Sequence, residues 1–213
     1  MRQASSFPTA KAAALLAATL LAGCVAEHVP PPPAERLAGP SCAGELRAAG
    51  AAFEPLPDRQ GPGDCRLVDA VRLQRSSVAL DQPAQLGCAT ATHLLRLEAE
   101  VLQPAAQRHF GQRVVRIRHV GGYACRARNG DPRGRLSEHA LGRAIDIAGF
   151  DLADGTQVTV SRHWDERGPR GTFLRDVARG ACGIFHLVLT PRTDALHRSH
   201  FHLDIGRWLR CDA

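Results

Sequence analysis

Lysine is nearly missing from this chain. Lys11 is the only one, and arginine supplies the rest of the Lys and Arg charge. A phosphate-binding loop of the Gly-x-x-x-x-Gly-Lys type is therefore excluded. Aromatic residues make up only 5% of the sequence, and no recognised nucleic-acid motif accompanies the net charge of +6. That argues against a nucleic-acid partner. No Cys-x-x-Cys pair occurs, which weighs against a structural zinc cluster built on thiolates. Nor is there a Gly-x-Ser-x-Gly elbow or a His-Glu-x-x-His helix, the marks of two large hydrolase classes. A mildly basic surface fits an anionic partner such as cell wall or membrane headgroups.

The N-terminus carries Arg2 and Lys11, then an apolar run from Ala12 to Leu21, too short to span a bilayer as a mature helix. It ends in Leu21-Ala22-Gly23-Cys24. Residues 1–23 read as a lipoprotein leader, with Cys24 the lipidated residue; the alternative is an ordinary signal peptide with a chance cysteine. This places the protein in the exported, lipid-anchored cell envelope, on the periplasmic face of a bacterial membrane. Residues 24–39 include the run VPPPP, a proline-rich spacer. Residues 40–87 form a cysteine-containing extension and 88–213 the main domain. Together they are one domain's worth of chain, long enough to bury a proper core.

Apart from Cys24, six cysteines remain: Cys42, Cys65, Cys88, Cys125, Cys182 and Cys211. An even number in an exported chain points to disulfides. A local Cys42–Cys65 bridge is expected, with the other pairings open. Bonded cysteines leave no thiol nucleophile.

Glu45 to Phe53 reads as a short alanine-rich helix and Cys65 to Leu73 as a strand. Leu86 to Gln103 has helical spacing, and Pro104 starts a new turn or kinks it. Val114–Val120 and Arg143–Gly149 alternate as strands do. Asp154-Gly155 signals a hairpin leading to a strand at Gln157–Val160. Thr172 is placed to cap a helix reaching Ala181. Phe185–Leu189 and His200–Ile205 are the last strands. The order gives an α+β fold, a small and mostly antiparallel sheet flanked by helices.

The chemistry gathers in two segments. Ser137-Glu-His-Ala-Leu-Gly-Arg-Ala-Ile-Asp146 puts a histidine and an aspartate seven positions apart around a glycine. His197-Arg-Ser-His200-Phe-His202-Leu-Asp204 adds three histidines. In a strand, His200, His202 and Asp204 share one face, while Phe201, Leu203 and Ile205 take the other. If that strand pairs beside Arg143–Gly149, then Asp146 and His202 converge, and Gly142 lets His139 bend back toward them. A His, an Asp and a distant His suit a catalytic zinc site with one position left for water. A polar sheet face with structurally bonded histidines is the other reading. His200 is the natural proton-handling group, and Arg126, after a strand end and the Gly121-Gly122 turn, is placed to steady an oxyanion or a substrate carboxylate. A serine nucleophile at Ser137 is less fitting than a cap for the loop.

These residues resemble a known family. Ser-x-His-x-x-Gly-x-Ala-x-Asp, Ser137 to Asp146, is similar to the signature of the zinc D-Ala-D-Ala metallopeptidases, grouped with lysostaphin-type enzymes and the hedgehog signalling domain. His200-x-His202 is similar to that group's second motif, and His197-x-x-His200-x-His202 to penicillin-insensitive murein endopeptidase. The stretch from Cys88 to Asp204 more closely resembles the bacterial extensin-like C-terminal domain, through Gln103-Pro104-Ala105-Ala106, Gly122-Tyr123-Ala124-Cys125-Arg126, Leu136 to Ala140, Phe173-Leu174-Arg175 and His197 to Asp204. The resemblance implies a hedgehog/D-Ala-D-Ala-peptidase-like fold, with Zn2+ on His139, Asp146 and His202. It also implies His200 and Arg126 as catalytic residues, with substrate contacts from Arg126, Tyr123 and His197. The implied partner is the peptide stem or crosslink of peptidoglycan. One position departs from the pattern. Many of these peptidases carry Glu three residues before the last zinc histidine, where this chain has Ser199, so the base is His200, His197 or a carboxylate such as Asp194. A non-catalytic wall-binding lipoprotein with a retained zinc and a periplasmic metal carrier are the competing functions. The sequence does not set an oligomeric state.

Overall fold

The computed structural model describes residues 41–131 and 133–213. The expected leader, Cys24 and the proline-rich stretch lie outside the described residues.

Helix α1 (Cys42–Ala48) opens the fold. It stops earlier than the expected helix because Gly50 turns with φ +70° and Ala52–Leu56 is a strand, β1. Strands β2 (Arg59–Gln60) and β3 (Arg66–Leu67) pair as a small separate sheet. β4 (Ala70–Arg75) follows. The single strand expected over Cys65–Leu73 is thus broken in two. Asp69 stands between the pieces at φ 45°, a left-handed conformation that a short polar side chain tolerates. β5 (Ala79–Gly87) escaped the sequence reading altogether. Its alternation is interrupted at Pro83, which falls where the ladder to β4 shifts register between Leu73 and Arg75. A bulge is where a strand accommodates proline.

The helical rod after β5 is not uniform. α2 (Cys88–Leu97) runs into a π-helical turn, Glu98–Leu102, and then α3 (Gln103–Phe110). Pro104 provides no N–H for Glu100, and the wide turn just before it absorbs that loss without ending the rod. β6 (Val114–Gly121), β7 (Ala144–Leu152) and β8 (Gln157–Thr159) come next. The short α4 (Val160–His163) precedes α5 (Pro169–Ala181). Gly168, not Thr172, is the N-cap of α5, and Pro169 takes its first turn, where its missing N–H costs nothing. β9 (Leu187–Leu189), β10 (Phe201–Asp204) and β11 (Arg210–Cys211) complete the chain.

The main sheet has nine strands in the order β1-β4-β5-β6-β7-β10-β9-β11, with β8 beside β7. It is larger than the small sheet expected and it is mixed, since β5 with β6 and β9 with β11 run parallel. The class is α+β. Residues 40–87 supply β1, β4 and β5 to the same sheet as the later strands. Phe150 of β7, Phe173 of α5 and Phe201 of β10 are fully buried. Phe173 meets Phe150 at 5.5 Å and Phe110 at 5.2 Å, edge to face, a favoured aromatic geometry. This packing joins the helices to the sheet and fixes the strands that carry the polar cluster.

All six described cysteines are bonded, and the expected Cys42–Cys65 pair is not among the bridges. The bridges are Cys42–Cys88, Cys65–Cys125 and Cys182–Cys211. Cys42 lies on α1, which packs against α2 at its Cys88 end, so neighbours in space displaced neighbours in sequence.

Candidate metal centre

β10 pairs antiparallel with β7 in a register that sets His202 directly opposite Asp146. Opposed residues on one sheet face bring their side chains into contact. His202 Nδ1 lies 2.9 Å from Asp146 Oδ1. The third member arrives from a 3₁₀ turn, Glu138–Leu141. Ser137 caps that turn, its Oγ accepting from the His139 backbone N–H at 3.4 Å, and Gly142 ends it at φ +66°. His139 Nε2 is 3.1 Å from Asp146 Oδ2 and 3.1 Å from His202 Nδ1. Among the described residues, His139, Asp146 and His202 form a group able to hold a metal ion.

The outer hydrogen bonds settle which atoms face inward. His139 Nδ1 lies 2.7 Å from the Gly122 carbonyl, which can only accept, so Nδ1–H donates and Nε2 presents a lone pair to the centre. His202 Nε2 lies 3.0 Å from Asp204 Oδ2, which directs Nδ1 inward in the same way. Such second partners orient metal-binding imidazoles and make them better donors. Ligands around a four-coordinate zinc stand about 3.3 Å apart, given metal–ligand bonds of about 2.0–2.1 Å. Each imidazole nitrogen stands against its own oxygen of Asp146, at 2.9 Å from Oδ1 for His202 and 3.1 Å from Oδ2 for His139, and one ligand atom from each of the three residues lies within 4.8 Å of the others. The donor set therefore fits a small divalent cation.

Charge accumulates here in a buried setting. Burial opposes ionisation of Asp146, yet hydrogen bonds and charge from His139 and His202 outweigh it and hold the carboxyl far below the usual range. Burial likewise works against a charged His202, but its bonds to Asp146 and Asp204 push its pKa up to about 9. His200 behaves oppositely. Burial, then the neighbouring histidines, lower its pKa despite the pull of Asp146. Its imidazole is thereby favoured in the neutral form, with Nε2 3.8 Å from Asp146 Oδ1 and Nδ1 3.3 Å from Ser199 Oγ. His197 is buried beside it, ring centroids 5.4 Å apart, and its Nδ1 donates to Asp194 Oδ1 at 2.8 Å. Asp194 caps the short turn that carries His197.

The cluster lines a cleft of about 390 Å³ together with Arg126, Arg128, His197 and His200. Arg126 is exposed and has no carboxylate partner among the described residues, whereas Arg128 pairs with Glu138 at 3.5 Å. The structure thus gathers six of the expected site residues around one cleft: His139, Asp146, His202, His200, His197 and Arg126. Tyr123 is not among them. It lines a neighbouring groove with Gln82 and His119, and the Arg59 guanidinium lies over its ring at 4.7 Å. Asp204 and the Gly122 carbonyl orient the two imidazoles without having been expected from the sequence. Asp204 was findable, since it stands two residues from His202 on the same strand face; the carbonyl carries no sequence signal.

Fold and site together define an α+β protein with a His-Asp-His group able to hold a metal ion in an arginine-lined cleft. The family model for the extensin-like protein C-terminus matches residues 40–212, and the chain belongs to that family. No curated protein and no solved structure matches it.

Proposed function

We propose that this protein is a zinc-dependent peptidase of the cell envelope that hydrolyses the peptide stems or crosslinks of peptidoglycan, on a fold of the hedgehog/D-Ala-D-Ala-peptidase kind. The reading includes export and a lipid anchor at Cys24. The observation that carries it is the convergence of one ligand atom each from His139, Asp146 and His202 within 4.8 Å of one another, beside the His200 imidazole and the Arg126 guanidinium. A zinc ion there supplies Lewis-acid activation of water and of a carbonyl group. The remaining work belongs to the protein. Arg126, unpaired at the cleft surface, binds a carboxylate of the peptide and sets the scissile amide against the centre. His200, neutral because it is buried among other histidines, accepts a proton from the attacking water. It then returns that proton to the leaving amine nitrogen as the C–N bond breaks. His197, fixed by Asp194, braces His200.

Ser199 favours a second reading, a wall-binding lipoprotein that keeps the metal without turnover, because it replaces the carboxylate base common in similar peptidases. One experiment separates the two. Purified protein is assayed for metal by elemental analysis and then for cleavage of a muropeptide panel. The expected result is one zinc per chain, hydrolysis abolished by EDTA and restored by zinc, and loss of both metal and activity in His139→Ala. Stoichiometric zinc with no cleavage across the panel leaves the binding role; no bound metal removes both.

A further inference from the structure

Away from the cleft's ligands, the segment between β10 and β11 exposes two large apolar side chains in succession. Trp208 is 42% exposed and Leu209 82%. A folded protein seldom presents an adjacent Trp and Leu to water without a use for them. The guanidinium groups of Arg207 and Arg135 lie over the Trp208 ring, at 4.9 and 5.4 Å from its centroid. Neither arginine has a carboxylate within ion-pair distance among the described residues, in contrast to Arg210, whose Nη2 is 2.6 Å from Asp212. The patch therefore combines an aromatic ring, a protruding aliphatic side chain and two uncompensated positive charges.

We propose that Arg135, Arg207, Trp208 and Leu209 form a docking surface for an anionic phospholipid bilayer. Tryptophan settles at the boundary between headgroups and acyl chains. Leucine beside it buries apolar surface below that level. Arginines flanking the ring meet lipid phosphates, which they bind with two parallel hydrogen bonds. The charge complement decides against the obvious rival, a glycan: stacking on a sugar needs a bare ring face, and here guanidinium groups already lie over the ring. A neutral saccharide also leaves both cations uncompensated. The surface is separate from the metal ligands, so it stands or falls independently of the peptidase reading.

Trp208 reports on its own environment, because the chain's other tryptophan, Trp164, is buried at 6% exposure. The full chain carrying Cys24→Ala, so that acylation plays no part, is mixed with phosphatidylglycerol vesicles and with phosphatidylcholine vesicles, with and without brominated acyl chains. Phosphatidylglycerol is expected to shift Trp208 emission to the blue and to expose it to bromine quenching, with little change on phosphatidylcholine. Arg207→Ala and Arg135→Ala should each weaken the phosphatidylglycerol response about five-fold, the contribution of one cation near an anionic surface. Leu209→Asp should abolish it while leaving muropeptide cleavage in solution and zinc content unchanged. A Trp208 spectrum indifferent to phosphatidylglycerol overturns the proposal. So does equal quenching in Leu209→Asp, which places the contact elsewhere, or a spectral shift produced by soluble glycan strands instead of vesicles.

Discussion

The two nitrogens of His202 have separate tasks. Nδ1 faces Asp146 and His139, and Nε2 is tied to Asp204 at 3.0 Å. Asp204 is buried, and its other oxygen accepts from the Gly206 backbone N–H at 2.9 Å, so it cannot swing away from the imidazole. Asp204→Asn keeps the shape and removes the charge. Metal affinity, measured by competition with a chromophoric chelator, should fall about ten- to a hundred-fold. An unchanged affinity would leave Asp204 with only the Gly206 turn to hold. Another buried carboxylate belongs to a different element. Glu98, in the π-helical turn, accepts hydrogen bonds from the hydroxyls of Ser76 and Ser77, from Ser77 N–H at 3.0 Å and from Val78 N–H at 3.2 Å. Burial raises its pKa above the ordinary carboxylate value, against the opposing effect of those bonds. The folded state thus holds the Glu98 proton more tightly than the unfolded chain does. Its contribution is greatest below the unfolded pKa of about 4.3 and is lost as pH rises through the folded value. Melting temperatures of wild type and Glu98→Gln, compared from about pH 4 to about pH 8, should move steadily in favour of the glutamine variant. A pH-independent difference would contradict the buried-proton account.

At the level of elements, the centre depends on how the turn before β7 is pinned. Gly142 takes φ +66°, and a Cβ there would fall 2.5 Å from Leu67 Cδ1 and 2.9 Å from the Gly87 nitrogen. Gly111 has a similar φ, +63°, but nothing within 4 Å. Gly111→Ala should therefore cost only the left-handed conformation, about 1 kcal/mol. Gly142→Ala should add the clash with β3 and β5, for a loss of roughly 3 kcal/mol. Because the His139 turn must shift, zinc affinity should fall only in Gly142→Ala; denaturant melts and chelator titrations test both halves. The same elements show what could be read in advance. Alternation in Arg143–Gly149 and His200–Ile205 exposed which side chains share a face, and that was enough to bring Asp146 and His202 together once the strands paired. Register is a property of two distant segments, so nothing local fixed His202 opposite Asp146. β5 was hidden because its polar middle and Pro83 erase the period-two signal. Tyr123 sits close to Arg126 in sequence, yet the chain turns between them and sends its ring into another groove.

For the whole molecule, three bridges close loops that sequence proximity could not assign, because six cysteines permit fifteen pairings and only the folded sheet selects one. Cys65–Cys125 spans 60 residues and ties the small β2–β3 sheet to the wall of the cleft. Cys125 immediately precedes Arg126 and lies three residues after Gly122, the acceptor that orients His139. Cys42–Cys88 spans 46 residues and joins α1 to α2, with neither cysteine lining the cleft. Chain-entropy reasoning gives the two bridges nearly equal weight, about 4 kcal/mol each, or a fall in Tm of roughly 10 °C for a domain of this size. The double variants Cys65→Ser/Cys125→Ser and Cys42→Ser/Cys88→Ser should then melt at similarly lowered temperatures. Their chemistry should diverge. Assayed well below either melting point, the first should lose most of its muropeptide kcat/KM while keeping its zinc, because Arg126 loses its anchor and the three ligands remain on β7, β10 and their own turn. The second should cleave as the wild type does. Equal loss of activity in both would make the bridges a source of stability alone and would detach Arg126 from the role the cleft gives it.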